Sequence, residues 1–186
     1  MARLFFGVPL QSAPTLALEA VRTGLPAQRG WRWLAAPNWH ITLSFLGDTD
    51  GKWINPLVEL GERVAHESKA GELTLDSLQW WPSSARPRLL AAVAEQAPSL
   101  QPIRKLLNAG LRELGLPFDS KPLRAHVTLM RLERGVLPDD LSLPECAVKV
   151  SAESLALFVS EKSAGEKRYR PLWEQALQQT PQFNFR

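Results

Sequence analysis

Two of the three histidines stand in the same tetrapeptide frame, His40-Ile41-Thr42-Leu43 and His126-Val127-Thr128-Leu129. Each frame alternates a polar with an apolar residue, which is the period of a half-buried β-strand. On average residue usage a Thr at +2 and a Leu at +3 would follow a given histidine roughly once in two hundred cases, so chance does not explain two copies. The first frame runs on into Ser44-Phe45-Leu46-Gly47 and the second into Met130-Arg131, both of strand-like composition. The chain must therefore build two similar strands, one in each half. The 86 residues from His40 to His126 are too many for a solenoid repeat and fit one duplicated lobe.

The remaining segments supply a mixture of elements. Arg3 to Val8 reads as a first strand, Pro14 to Arg22 as a helix with Leu16, Leu18 and Val21 on its buried face, and Trp31 to Trp33 as a short strand. Pro37-Asn38 marks a turn before the strand His40 to Leu46, which Gly47-Asp48 ends. Lys52 to Glu67 and Ser99 to Leu114 carry leucine, isoleucine and valine at helical spacing. Leu73 to Trp80 and Arg88 to Ala94 read as two strands joined across Pro82–Pro87, and Ala125 to Arg131, Glu153 to Ser160 and Tyr169 to Leu177 as three more. Strands and helices so intermixed predict an α+β fold. Together with the duplicated frame they predict two related sheet-and-helix lobes around a central cleft, with 1–186 as a single bilobal domain.

Composition narrows the class. With 186 residues, 45% hydrophobic and 22% charged, the chain has the material for one ordinary core. One cysteine, Cys146, rules out an internal disulfide and any multi-cysteine metal site, and points to a reducing compartment, with the cytoplasm as the default. The apolar run near the N-terminus is cut by Pro9 and lacks a small-residue cleavage site, so it reads as a strand rather than a leader. No segment approaches the ~20 apolar residues that span a bilayer, so a soluble protein without a membrane partner is expected. A net charge of +3 and a pI near 9.3 permit a polyanionic partner without identifying one.

The chemistry follows from strand geometry. Successive side chains point to opposite faces, so His40 and Thr42 share one face and Ile41 and Leu43 the other, and the second frame behaves alike. If the aliphatic members enter a core, each strand presents an imidazole and a hydroxyl together to a cleft. With an ordinary pKa near 6.5, one ring can accept a proton while the other donates one. That pair suits in-line displacement at phosphorus, one ring activating water and the other protonating the departing alkoxide, while the threonine hydroxyls hold non-bridging oxygens. The residues alone also admit a structural duplication or a weak metal site, although no third ligand lies at a spacing that would favour zinc. They do not say which imidazole begins protonated. His66, in a polar helical stretch, reads as a solvated residue.

These blocks carry a resemblance. Arg3-Leu4-Phe5-Phe6-Gly7-Val8, Asn38-Trp39-His40-Ile41-Thr42-Leu43-Ser44-Phe45-Leu46-Gly47, Ala125-His126-Val127-Thr128-Leu129-Met130-Arg131 and the run from Glu153 to Tyr169 resemble the RNA 2′,3′-cyclic phosphodiesterases, long called 2′-5′ RNA ligases, of the two-histidine phosphoesterase superfamily. The resemblance implies a bilobal α+β fold and metal-independent hydrolysis of a terminal 2′,3′-cyclic phosphate to a 2′-phosphate, with His40 as proton donor and His126 as acceptor. It implies no cofactor, no obligate protein partner, and RNA ends, such as tRNA fragments or short oligonucleotides, as substrate. Thr42 and Thr128 would bind the phosphate. Reversible 2′-5′ ligation at the same site, or RNA-end binding without turnover, are the alternatives, and water at ~55 M favours hydrolysis unless RNA ends are held together.

Several other residues are weighed individually. Arg131 lies five positions after His126, so an unbroken strand puts it on the face opposite the histidine, while a bend would return it as a phosphate clamp. Phe45, by the same parity, is expected in the core, as are most of the seven tryptophans. Arg168 and Tyr169 either line the cleft rim or lie on the surface. Within the run from Glu153 to Tyr169 the charged loop Lys162 to Arg168 departs from the family pattern, which leaves the preferred substrate length open.

Overall fold

The computed structural model describes residues 1–26, 28–136, 138, 143–163 and 166–179. Its strands are β1 (Ala2–Pro9), β2 (Trp31–Trp33), β3 (His40–Thr49), β4 (Gly71–Leu75), β5 (Ser77–Trp81), β6 (Leu89–Val93), β7 (His126–Leu132), β8 (Val148–Ala152), β9 (Ser154–Ser163) and β10 (Glu166–Ala176). Its helices are α1 (Ser12–Thr23), α2 (Ile54–Glu67) and α3 (Leu100–Glu113). The architecture is the expected α+β mixture. One sheet runs β10-β9-β1-β3-β7-β6-β5, with β2 beside β7, and β4 pairs with β8 as a separate ribbon.

The large sheet has two arms, β10-β9-β1-β3 and β7-β6-β5, joined through a single in-register pair, Ile41 with Val127. Each partner immediately follows a frame histidine. On either side of this pair the two strands diverge, and the divergence makes the cleft.

Around that junction the arms repeat each other residue for residue. In one arm Phe5, Phe6, Gly7, Val8 and Pro9 of β1 face Phe45, Ser44, Thr42, Ile41 and His40 of β3. In the other Leu89, Leu90, Ala91, Ala92 and Val93 of β6 face Arg131, Met130, Thr128, Val127 and His126 of β7. Both ladders skip a residue at the same place, Leu43 in one and Leu129 in the other. A bulge of this kind puts two consecutive side chains on one face and reverses the alternation beyond it. Leu43 and Ser44, like Leu129 and Met130, are accordingly all buried.

The displaced carbonyls are satisfied from outside the ladders. Arg104 Nε of α3 donates to the Leu43 carbonyl at 3.0 Å, and the Leu34 N–H donates to that of Leu129 at 2.9 Å. A second irregularity in β3 falls at Leu46, beside Gly47 in the left-handed region at φ 76°, a conformation that glycine adopts without a Cβ penalty. The strand therefore continues through Gly47-Asp48 to Thr49 instead of ending there.

The core lies between the sheet and the helices. Leu57, Leu60 and Val64 of α2 and Leu100, Ile103, Leu107 and Leu111 of α3 are buried, as their spacing requires. In α1 the buried residues are Pro14 and Leu18, whereas Leu16 is 70% exposed, so that face is rotated from the expected one. The segment read as one strand from Leu73 to Trp80 is two, β4 and β5, in different sheets, because the chain turns at Asp76. Strand β8, which has no counterpart in the sequence-based expectation, supplies β4's partner. The tip of the charged loop, 164–165, lies outside the described residues.

Candidate functional site

Both frames deliver their polar members to one cavity of about 180 Å³, walled by His40, Thr42, His126, Thr128 and Arg131 together with Phe5, Leu34, Phe45, Leu89 and Tyr169. None of these lining residues is acidic. The antiparallel pair Ile41–Val127 sets the arrangement, bringing His40 toward Thr128 and Thr42 toward His126, so the four groups are related by a local two-fold through the junction. Neither threonine hydroxyl has a protein hydrogen-bond partner among the described residues.

Each imidazole is held in the same way. His40 Nδ1 lies 2.8 Å from the Asn38 carbonyl and His126 Nδ1 lies 2.7 Å from the Arg124 carbonyl. A carbonyl only accepts, so each Nδ1 carries the hydrogen. That tautomer leaves each Nε2 as the proton-exchanging atom.

Their surroundings differ. His40 is enclosed by aromatic rings, with Phe5, Tyr169 and Phe158 at centroid distances of 4.7, 4.8 and 5.4 Å. Asn38 organises this side twice over, since its Oδ1 also accepts the Tyr169 N–H at 2.9 Å. His126 lies against Trp81 at 4.4 Å, and the Arg124 guanidinium sits 4.0 Å from the centre of the Trp81 ring. His126, Thr42 and Phe45 also border a neighbouring depression of about 240 Å³, while His40 does not.

Burial pushes the His40 pKa down to about 4, against a partly offsetting hydrogen bond to the Asn38 carbonyl, with the charges of His126 and Arg131 lowering it further. Burial likewise lowers His126, where Arg124 and Arg131 add to the effect. Both shifts favour the neutral ring near pH 7.

The bulges decide two residues that parity left open or misplaced. Arg131 returns to the histidine face and lines the cavity, and its Nε is buried without a hydrogen-bond partner. Phe45 is not in the core. It is 42% exposed at the cavity mouth, in the position that Arg131 occupies in the second frame. Tyr169 is a cavity wall, whereas Arg168 is exposed and lines no described pocket. Trp31 and Trp39 are buried as expected. The site tryptophan is Trp81, which the sequence did not single out and which no periodicity marks. Arg104 was also missed. It is a buried arginine that additionally donates to the Asp119 and Lys121 carbonyls at 2.8 and 2.5 Å, and so fixes the β3 bulge to the loop before β7. Among the described residues no three of His, Cys, Asp and Glu come together, and no described helix is long and apolar enough to cross a membrane.

Comparison with known proteins finds relatives of this chain. A family profile described as LigT like Phosphoesterase matches residues 8–91. The RNA 2′,3′-cyclic phosphodiesterase of Thermus thermophilus is 30% identical over 135 residues, covering 69% of this chain and 68% of that protein. The RNA 2′,3′-cyclic phosphodiesterase of Geobacillus stearothermophilus is 27% identical over 83% of this chain, and the chain spans about half, 51%, of its length. A crystal structure of a Thermus thermophilus protein superposes with a TM-score of 0.82 at 26% identity, covering 95% of this chain and 98% of that one. The chain belongs to the LigT-like phosphoesterase family.

Proposed function

We propose that the protein hydrolyses a terminal 2′,3′-cyclic phosphate on RNA to a 2′-phosphomonoester, in one bilobal domain and without a metal. The observation that carries this is the pair of imidazoles, each with Nδ1 bound to the carbonyl two residues back, turned onto one small cavity that holds a guanidinium and two free hydroxyls and has no carboxylate in its wall. Such a wall suits an anion. The names of the relatives supply the chemical class, and the lone buried Cys146 supports a cytoplasmic setting.

In the proposed step the cyclic phosphate lies between the rings, with its non-bridging oxygens on Thr42, Thr128 and Arg131. Its negative charge offsets the burial that keeps the rings neutral, and one ring takes up a proton on binding. A water oxygen bonds to phosphorus as the bond to the 3′ oxygen breaks. The water proton passes to His126 Nε2, and His40 Nε2 gives its proton to the departing 3′ oxygen. This direction is supported by the surroundings of the rings: His126 borders the open neighbouring depression, while His40 is closed in by aromatic rings.

The test is turnover of an oligonucleotide ending in a 2′,3′-cyclic phosphate, with chelator present and the product phosphate located. Activity should persist in chelator, leave a 2′-phosphate, and fall by roughly 10²–10⁴ in His40→Ala and in His126→Ala, with folding intact. A substrate with sulfur at the 3′ leaving position needs little protonation. It should restore turnover to His40→Ala and not to His126→Ala. Rescue of the other variant would reverse the roles, and retention of the RNA without turnover would leave a binding module.

A further inference from the structure

The cavity does not end at His126. The depression that it shares with Thr42 and Phe45 has Trp81, Lys121 and Arg124 on its far side and Arg104 in its wall. Arg104 in turn belongs to a larger groove of about 910 Å³ along α3, lined by the exposed Gln101, Lys105 and Arg112 and by the half-buried Asn108, whose Oδ1 accepts the Ser44 hydroxyl. These four follow a spacing of four, three and four, one stripe of a helix, and none is acidic. A path therefore runs from the reacting centre, past Arg124 and Lys121, to the outer face of α3.

The charges along it are unusual in their company. Lys105, Arg112, Lys121 and Arg124 line it, and none has a carboxylate partner among the described residues. The arginines that do form ion pairs, Arg3, Arg22, Arg32, Arg63 and Arg170, all lie off this path. Two of the path's cations rest on aromatic faces instead: Arg124 on Trp81 and Arg112 on Phe118, 4.0 and 5.3 Å from the ring centres. One acid, Asp119, borders the path, and its Oδ1 accepts the Lys121 N–H at 3.0 Å. Unneutralised cations interleaved with aromatic rings along an open groove match a single-stranded polyanion with stacking bases. A mononucleotide in the cavity would use none of the α3 stripe.

We propose that this groove holds the backbone of a single-stranded RNA whose 3′ end lies in the cavity, with Lys105 and Arg112 as the contacts furthest from the reacting phosphate; the proposal rests on the hydrolytic reading above and adds to it a preference for oligonucleotides. The test compares adenosine 2′,3′-cyclic phosphate with a decanucleotide ending in a 2′,3′-cyclic phosphate, in the wild type and in the double variant Lys105→Glu/Arg112→Glu. The wild type should favour the decanucleotide at least tenfold in kcat/KM at low salt. The double variant should lose at least tenfold on the decanucleotide through KM, and the slope of its log(kcat/KM) against log salt should shrink by about 1.4, or about 0.7 for each phosphate contact removed. Its kcat and its constants for the mononucleotide should match the wild type, which also shows that the fold is intact. Equal constants for wild type and variant on the decanucleotide would overturn the groove and leave the hydrolytic reading standing. If the wild type turns over neither substrate, that reading fails, and fluorescence anisotropy of the labelled decanucleotide decides the groove: weaker binding by the variant supports it, and equal binding refutes it.

Discussion

Replacing Arg131 with methionine should make the protein more stable, less active, and active at higher pH. Arg131 Nε is buried without a partner, and an unsatisfied buried polar group costs about 1–3 kcal/mol. Methionine fills comparable volume with no donor to satisfy. Allowing for some lost packing, a net gain of ~1 kcal/mol is expected, a rise in Tm of about 2–4 °C for a chain of this size. Turnover should fall because the phosphate loses a charge-assisted hydrogen bond, about 1.5–3 kcal/mol, which corresponds to roughly a 10- to 150-fold drop in kcat/KM. The guanidinium also repels a proton on either imidazole, lowering both pKa values. Its removal raises them, so both limbs of the bell-shaped kcat/KM profile should move to higher pH. Thermal unfolding at pH 7 and kcat/KM on adenosine 2′,3′-cyclic phosphate from pH 4 to 9 measure all three effects. A less stable variant with an unmoved profile would show that Arg131 is held by its neighbours and is not poised for an anion.

Thr42→Val and Thr128→Val should each cost about 1.5–3 kcal/mol in transition-state stabilisation with unchanged unfolding, and wild-type kinetics in both would remove the phosphate-holding role. Gly7→Ala would bring a Cβ within 2.7 Å of the Ile41 carbonyl oxygen, so β1 must shift against β3 and denaturant melts should show a loss of about 1–3 kcal/mol. At the matching position in the other arm Ala91→Gly should cost only about 0.5–1 kcal/mol. Arg104→Met strips the Leu43, Asp119 and Lys121 carbonyls of their donor and, with the Leu43 carbonyl left unsatisfied, should cost about 1–3 kcal/mol in urea unfolding, with lower kcat/KM as Phe45 and the loop before β7 loosen; a gain in stability would contradict it. Acid should weaken the fold through His40. Its unfolded ring takes a proton near pH 6.5 and its native ring only near about 4, so Tm should fall as pH drops through that window, and His40→Gln should flatten the dependence.

The frame histidines and threonines were legible because a strand's period of two is written into four adjacent residues. The same period misplaced Phe45 and left Arg131 open, since a bulge inserts one residue without any compositional mark and reverses parity beyond it. What places those two side chains in the cleft is a pair of skipped positions, Leu43 and Leu129, that look like ordinary core leucines. The matched ladders of β1 with β3 and β6 with β7 were foreshadowed by the repeated frame alone, because Phe5-Phe6-Gly7-Val8 and Leu89-Leu90-Ala91-Ala92 share shape and polarity but little identity. Arg104 was hidden for another reason. A single basic residue in an amphipathic helix reads as solvated, and only tertiary structure brings three carbonyls to it.

The local two-fold at Ile41 and Val127 is broken at matched positions, where a phenyl ring ends one frame and a guanidinium the other, and in what surrounds each imidazole. A scaffold with two equivalent hands would have no preferred orientation for its cargo, so in the proposed reaction the choice of which ribose oxygen departs comes from those differences. Exchanging the two side chains, Phe45→Arg with Arg131→Phe, would leave the rings' other neighbours in place, and the product's phosphate position would then show how much of the polarity those two positions carry.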